Sequence, residues 1–255
     1  MKIHINTDEK FPHLESAPIV EAVIDLRAQS IEAFDEAKAR AYLEPHVEGY
    51  KFLDSQQELN HQIKIEAGSP PQQTITNTWK GVRFRNLEGK NTAHYNRDGF
   101  VFSRLAPYQH WAAFSDEAMR LWRIFKDMAK PETISRIGLR FINRIELPAG
   151  DGEFERFIDP APKSPRDMDL PFFGFMHQES FAVPDSPYAV NLIRTIQPPI
   201  GSGGFAIIID IDVFTLQGGV YKEDRIMEML EEMRWLKNKT FFGSVTDVAL
   251  EVFKC

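Results

Sequence analysis

The stretch SRIGLRFINRIELP, residues 135–148, sets an arginine at every fourth position: Arg136, Arg140 and Arg144. In a strand, residues two apart share a face. The arginines would then project together with Gly138 and Ile142, while Ile137, Leu139, Phe141, Ile145 and Leu147 project the other way. That near-clean alternation is the period-two signature of a half-buried strand. A helix would scatter the apolar residues and carry Gly138 in its interior at about 1 kcal/mol. Pro148 closes the run. Elsewhere, VRFRN places Arg83 and Arg85 on one strand face, and Arg104 and Arg194 stand in other strand-like runs. IIIDIDVF sets Asp210 and Asp212 on one face, with Ile207, Ile209, Ile211 and Val213 on the other.

Two kinds of chemistry follow from these residues. If the sheet curls, Arg83, Arg85, Arg136, Arg140, Arg144 and Arg194 converge on a polyanion. Asp210 and Asp212, with Glu21 and Asp25 available, would then hold a divalent cation, given a further oxygen ligand. Such a site belongs to a metal-dependent phosphohydrolase or nucleotidyl-type enzyme. In the other reading the charges are structural. Strand 18–28, with Glu21 and Asp25 on its polar face, lies beside the arginine strand, and acids and arginines pair across the sheet. Asp210 and Asp212 would likewise face Arg194 across a hairpin.

The remaining candidates each have an ordinary reading beside the chemical one. His177 and Glu179 share a strand face, as an acid–base pair or as solvent-facing neighbours. The glycines of PPIGSGGFAIIID precede a strand, not the helix a phosphate cradle requires, so a hairpin connection is expected. YQHWAAF, with Trp122 and Phe125 beyond it, offers either a stacking platform or core packing. DPAPKSPRDMDLP, residues 159–171, has four prolines and must be an exposed, stiff loop suited to partner contact. The seven histidines form no two-histidine metal motif, no serine sits in a nucleophile elbow, and no cofactor fingerprint occurs.

The elements that must position these residues follow one pattern used twice. PIVEAVIDLRA alternates as a strand, Ser30 stands where an N-cap belongs, and IEAFDEAKARAYLE predicts a helix stopped by Pro45. Strand-like runs HQIKIEA, QTITNTWKGVRFRN and TAHYNRDGFVFSRL follow, separated by GSPP, LEGK and RDG. The first half closes with a helix carrying Trp111, Phe114, Ala118, Leu121, Phe125 and Met128 at helical spacing. The second half opens on the arginine strand and passes through a short helix, EFERFI. It continues as FFGFMHQESFAV, YAVNLIRTIQ and GFAIIIDIDVFTL, then a helix burying Ile226, Met229, Leu230, Met233 and Leu236. Last comes GSVTDVALEVF, where Ser244 and Asp247 have capping-box spacing ahead of a stripe of Val245, Val248, Ala249 and Val252. The expectation is an α+β fold, mainly antiparallel sheet backed by helices, in two related β-α-β(n)-α halves. Residues 1–15 form an N-terminal extension, 16–130 the first half and 131–255 the second half with its terminal helix, together one compact unit.

Composition narrows the function further. In 255 residues, 43% hydrophobic and 26% charged, the chain is an ordinary globular protein. Its 37 acids outnumber its 30 bases, for a net charge of −7, and no basic run reaches five, which disfavours nucleic acid. No segment approaches the roughly 18 apolar residues of a membrane helix, and the start lacks a secretory pattern. The only cysteine, Cys255, leaves no intrachain disulfide, and a cytoplasmic protein is expected.

APIVEAVIDLR near the start, LAPYQHWAAF before the first long helix, SRIGLRFINRIELP at the middle and TFFGSVTDVALEVF at the end together resemble a family of sporadically distributed bacterial proteins of about this length. The resemblance spans nearly the whole chain in the family's order. It implies a full-length protein with a repeated architecture and supplies no catalytic residues. A weaker similarity links the acid-and-arginine plan to the triphosphate-tunnel enzymes, although Val23 interrupts the acidic series and Arg27 ends it. The expectation from the sequence is a non-catalytic binding protein recognising another protein. A small anionic ligand and self-association remain open, and a cofactor enters only as the divalent metal of the enzyme alternative.

Overall fold

The structure, a computed structural model, describes residues 3–31, 34–64, 72–147, 154–168, 170, 174–197 and 204–253, with backbone alone at 62 and 64. The fold is α+β. In chain order it runs β1 (Ile19–Arg27), α1 (Glu36–Leu43), β2 (Tyr50–Lys64), β3 (Gln72–Asn86), β4 (Asn91–Asn96), β5 (Gly99–Leu105) and α2 (Trp111–Ala129). It continues with β6 (Arg136–Glu146), a 3-10 turn at Phe154–Arg156, β7 (Met176–Ala182), β8 (Tyr188–Gln197), β9 (Ala206–Thr215), α3 (Glu223–Phe242) and α4 (Asp247–Val252). Among the described residues the nine strands form one sheet, in the order β2-β3-β4-β5-β1-β6-β9-β8-β7. By packing, the chain groups into two units: Met1–Ile24, Arg104–Gln109 and Arg136–Cys255 in one, Asp25–Ser103 and His110–Ser135 in the other.

In the first of these units, β6, β9, β8 and β7 pair antiparallel in sequence. Alternation decides which side chains go inward. Ile137, Leu139 and Phe141 of β6 are buried, as are Ile207, Ile209, Ile211 and Val213 of β9. Helix α3 packs on β6, β8 and β9 and buries Ile226, Met229, Leu230, Met233 and Leu236, the five positions its spacing marks. Each such side chain is worth roughly 1.5–3 kcal/mol relative to exposure. The N-terminal segment also belongs here. Trp235 Nε1 donates to Glu9 at 2.8 Å, Lys239 Nζ lies 2.6 Å from Glu9, and Phe11 stacks on Phe242.

In the second unit, α2 buries Trp111, Phe114, Ala118, Leu121 and Phe125, while Met128 is only half-buried. The rings of Phe84, Tyr95, Phe100, Trp122 and Phe125 run on from one another at 5.4–6.4 Å. The aromatic cluster is therefore core packing.

Several boundaries differ from the sequence reading, each for a local reason. The cap of α1 is Asp35, whose carboxylate accepts from the Lys38 amide at 2.8 Å, and the Ser30 hydroxyl donates instead to the Ala129 carbonyl. Thr246, not Ser244, caps α4, because the Ser244 hydroxyl donates to the Thr240 carbonyl. Of the expected terminal stripe, Val245 and Ala249 are buried while Val248 and Val252 are exposed. EFERFI yields only the 3-10 turn. The GSPP turn, the PPIGSG connection, Pro148 and Cys255 lie outside the described residues.

Candidate functional site

Register decides the partners of the arginine strand. On β6 and β9, Arg140 stands opposite Asp212, Ile142 opposite Asp210 and Gly138 opposite Phe214. The acids and the arginines therefore share a face. The guanidinium of Arg140 reaches one step diagonally and grips both oxygens of Asp210, with Nε donating to Oδ1 at 2.7 Å. Arg136 lies along its own strand, over Gly138 and 4.9 Å from the Phe214 ring, and donates to Asp212 Oδ2 at 2.7 Å. A Cβ on Gly138 would meet Arg136 Nη1 at 2.3 Å, so the missing side chain is what admits this pose. Arg144 closes the row on Glu146 at 2.5 Å. The hydrogen bonds that Arg140 donates to Asp210 raise its pKa, burial opposes them, and Asp210, Asp212 and lastly Glu21 add attraction.

Arg136 and Arg140 of β6 hydrogen-bond to acids of β9, the strand on the side away from β1. Glu21 of β1 adds the smallest of the attractions felt by Arg140. On the shared face β9 presents Asp210 and Asp212 between Ile208 and Phe214, and the long arginine side chains reach the carboxylates diagonally.

Arg194 is not on this face. It stands opposite Ile209 and His177, whereas Asp210 stands opposite Ile193, so the expected pairing of Arg194 with Asp210 fails by one residue of parity. Only 2% exposed, Arg194 donates from Nη2 to Glu179 and from Nη1 to the Pro160 carbonyl, both at 2.8 Å. Its Nε is buried and, among the described residues, without a hydrogen-bond partner. The bond to Pro160 ties down one end of the proline-rich loop, whose described residues are otherwise mainly exposed. Glu179 and His177 do share a face. The acid is engaged by Arg194, and His177 meets the edge of Phe175 at 5.4 Å.

Arg83 and Arg85 belong to the second unit. Arg83 forks onto Asp54, with Nε donating at 2.7 Å, and Arg85 is exposed. His94 stands opposite Arg83 on β4. Burial, then the neighbouring Arg83 cation, pushes the His94 pKa down to about 4, against a smaller opposing pull from Asp54. Among the described residues, no group of three or more His, Cys, Asp or Glu side chains is arranged to hold a metal ion. Asp210 and Asp212 are instead bound to guanidiniums.

The sequence reading missed another region of the second unit. β2 begins at Tyr50, well before the HQIKIEA run, and pairs with β3 along its full length. Strand β4 covers β3 only from Gly81 to Arg85. Beyond that point residues 57–64 and 72–79 form a two-stranded ribbon. Its root is defined by a bulge between Gln56 and Gln57 and by Gly81, where a Cβ would lie 2.5 Å from the Tyr95 carbonyl. It is braced by Trp79, which meets the edge of Phe34 and donates Nε1 to Ser55 Oγ at 3.0 Å. Bulges of this kind re-aim a strand where pairing changes.

The ribbon has two unlike faces. Leu59 stands opposite Asn77, His61 opposite Ile75 and Ile63 opposite Gln73, so Leu59, Ile63 and Ile75 share one side. They are 67%, 56% and 62% exposed. The alternate positions, Glu58, Asn60, Thr74, Thr76 and Thr78, are polar and exposed. The sequence signal was alternation of Leu59, His61 and Ile63 with polar residues, too sparse in apolar residues to read as a buried strand.

No known family model matches the chain, and no curated protein matches it significantly. No helix among the described residues is long and apolar enough to cross a membrane.

Proposed function

We propose that this chain is a non-catalytic binding protein whose ligand is another polypeptide, held on the apolar face of the β2–β3 ribbon. The observation that carries this reading is the row of Leu59, Ile63 and Ile75, exposed together on a ribbon that, among the described residues, has no other strand beside it at that height. Two-stranded ribbons are marginal alone, and apolar side chains gathered on one exposed face mark contact sites. A partner's apolar side chains packed on this face would bury area that is exposed in the free chain. The competing reading, an arginine-lined phosphohydrolase, requires guanidiniums able to leave their carboxylates. On β6 a phosphate would have to displace Asp210 and Asp212 from charge-assisted bonds.

We also propose that the two halves are a duplication. β1, β5, β4 and β3 would correspond to β6, β9, β8 and β7, a matching supported by the strand order read outward from β1 and β6. β2, the outer strand of the ribbon, is then an addition without a counterpart.

Site-specific photo-crosslinking in cells tests the binding reading. A crosslinker at Ile75 should give a discrete adduct with another polypeptide, and one at Thr76, on the opposite face, should not. Absence of an adduct at Ile75, or equal adducts at both positions, would overturn it.

A further inference from the structure

We infer that the outer edge of β2 pairs antiparallel with the same edge of a second copy, about a two-fold axis through His61. Two ribbons then join into one four-stranded platform. This rests on the reading of the ribbon as a protein-binding element. β2 ends the strand order, so among the described residues no strand meets its outer edge. Natural edges of this kind are blunted by lysines, prolines or further bulges. Past the bulge at Gln56, residues 57–64 contain no proline, and their only formal charges are Glu58 and Lys64. Such an edge is a template for another strand.

The sequence of this edge is complementary to itself. Glu58 and Lys64 lie at equal distance on either side of His61. A two-fold through His61 sets Glu58 opposite Lys64 of the second copy, and Leu59 opposite Ile63 of the second copy. In an isologous interface each of these pairings occurs twice. Opposite charges directly across an antiparallel pair are stabilising, and like charges are not. An axis centred on Asn60 or Gln62 would leave both charges without an opposite. An axis between residues would throw apolar side chains onto the polar face. The pairing through His61 makes the exposed Leu59, Ile63 and Ile75 of two copies contiguous, which doubles the apolar strip offered to a partner.

Sedimentation equilibrium on the purified full chain reads the dimer directly. The wild type should dimerise. Glu58→Lys and Lys64→Glu should each weaken the dimer by at least about tenfold, since each sets like charges opposite one another twice. The double variant Glu58→Lys/Lys64→Glu should restore it, an outcome that general unfolding of the ribbon would not produce. In a Cys255→Ser background, His61→Cys should oxidise to a disulfide-linked dimer. Directly opposed residues of antiparallel strands lie about 4.5–5.5 Å apart at Cα, within disulfide reach. Asn77→Cys, on the inner strand, should stay monomeric under the same conditions. A wild type that is monomeric at its highest attainable concentration overturns the inference, as does a dimer indifferent to both charge reversals. A monomer that still crosslinks to another polypeptide through Ile75 would refute the self-pairing and leave the binding reading standing. A dimer without that adduct would do the reverse.

Discussion

The β6–β9 pair and the β2–β3 ribbon are both antiparallel strand pairs, yet they use their side chains in opposite ways. On β6 and β9 the polar face is densely charged, and Arg136 and Arg140 are met by Asp212 and Asp210. On the ribbon charge is nearly absent, and what is exposed is Leu59, Ile63 and Ile75. Conspicuous charge in a sequence invites a functional reading, but charges that find each other within a sheet are neutralised by the fold. The ribbon's apolar side chains have no such partner beside them in the two-stranded register. On the proposed reading, the binding region is the one whose residues look least chemical.

The largest effect should come from acid. At the root of the ribbon, Asp54 and Arg83 form a forked pair like that of Asp210 and Arg140, but with His94 alongside. His94 has its pKa pushed down to about 4, so between that value and the ordinary 6.5 the unfolded chain binds a proton that the folded chain refuses. Stability from this group is complete above pH 6.5 and is lost as pH falls through 4, by on the order of 3 kcal/mol at the lower end. Urea unfolding from pH 7 to 4 on wild type and His94→Gln should show a steeper loss for the wild type. Parallel curves would mean that His94 is solvated.

Next, Arg140→Met should cost about 2 kcal/mol, because it leaves the largely buried Asp210 without its counter-ion, tempered by the exposure of Arg140. Adding Asp210→Asn should recover much of the loss, measured by the denaturation midpoint. If Arg140→Met instead stabilised the protein, the row would hold mutually repelling cations and the contrast between the two regions would break. Smaller still is Gly138→Ala, expected to cost about 1 kcal/mol by displacing Arg136 from its pose over the strand. A neutral result would show that Arg136 reaches Asp212 by another route. The smallest effect belongs to the ribbon: Leu59→Ser with Ile75→Ser should change stability by no more than about 0.5 kcal/mol, since these side chains bury little in the free chain.

These differences also mark what the sequence could tell. Local periodicity was enough to read β6, β9, α2 and α3, because Ile137, Leu139 and Phe141 alternate and Ile226, Met229, Leu230 and Met233 recur at helical spacing. It placed the arginines on a strand with one polar face. It could not say what they meet, because pairing of β6 with β9 joins segments far apart in the chain, and a shift of one residue exchanges every partner. Arg194 illustrates the point: one step of parity sends it to the buried side, beside Glu179 rather than Asp210. The ribbon was illegible for a different reason. Leu59, Ile63 and Ile75 are single apolar residues in polar runs, and only the short reach of β4 along β3 reveals that, among the described residues, no further strand lies beside them.

One titration separates the structural charges of β6 and β9 from recognition by the ribbon. The polypeptide trapped by the crosslinker at Ile75 would be purified, and its Kd measured against wild type, Arg140→Met and the Leu59→Ser/Ile75→Ser pair under one buffer. Arg140→Met should keep wild-type affinity despite its lower stability, and the stable ribbon variant should bind at least about tenfold more weakly. Weakened binding by Arg140→Met with the ribbon variant unaffected would contradict that separation.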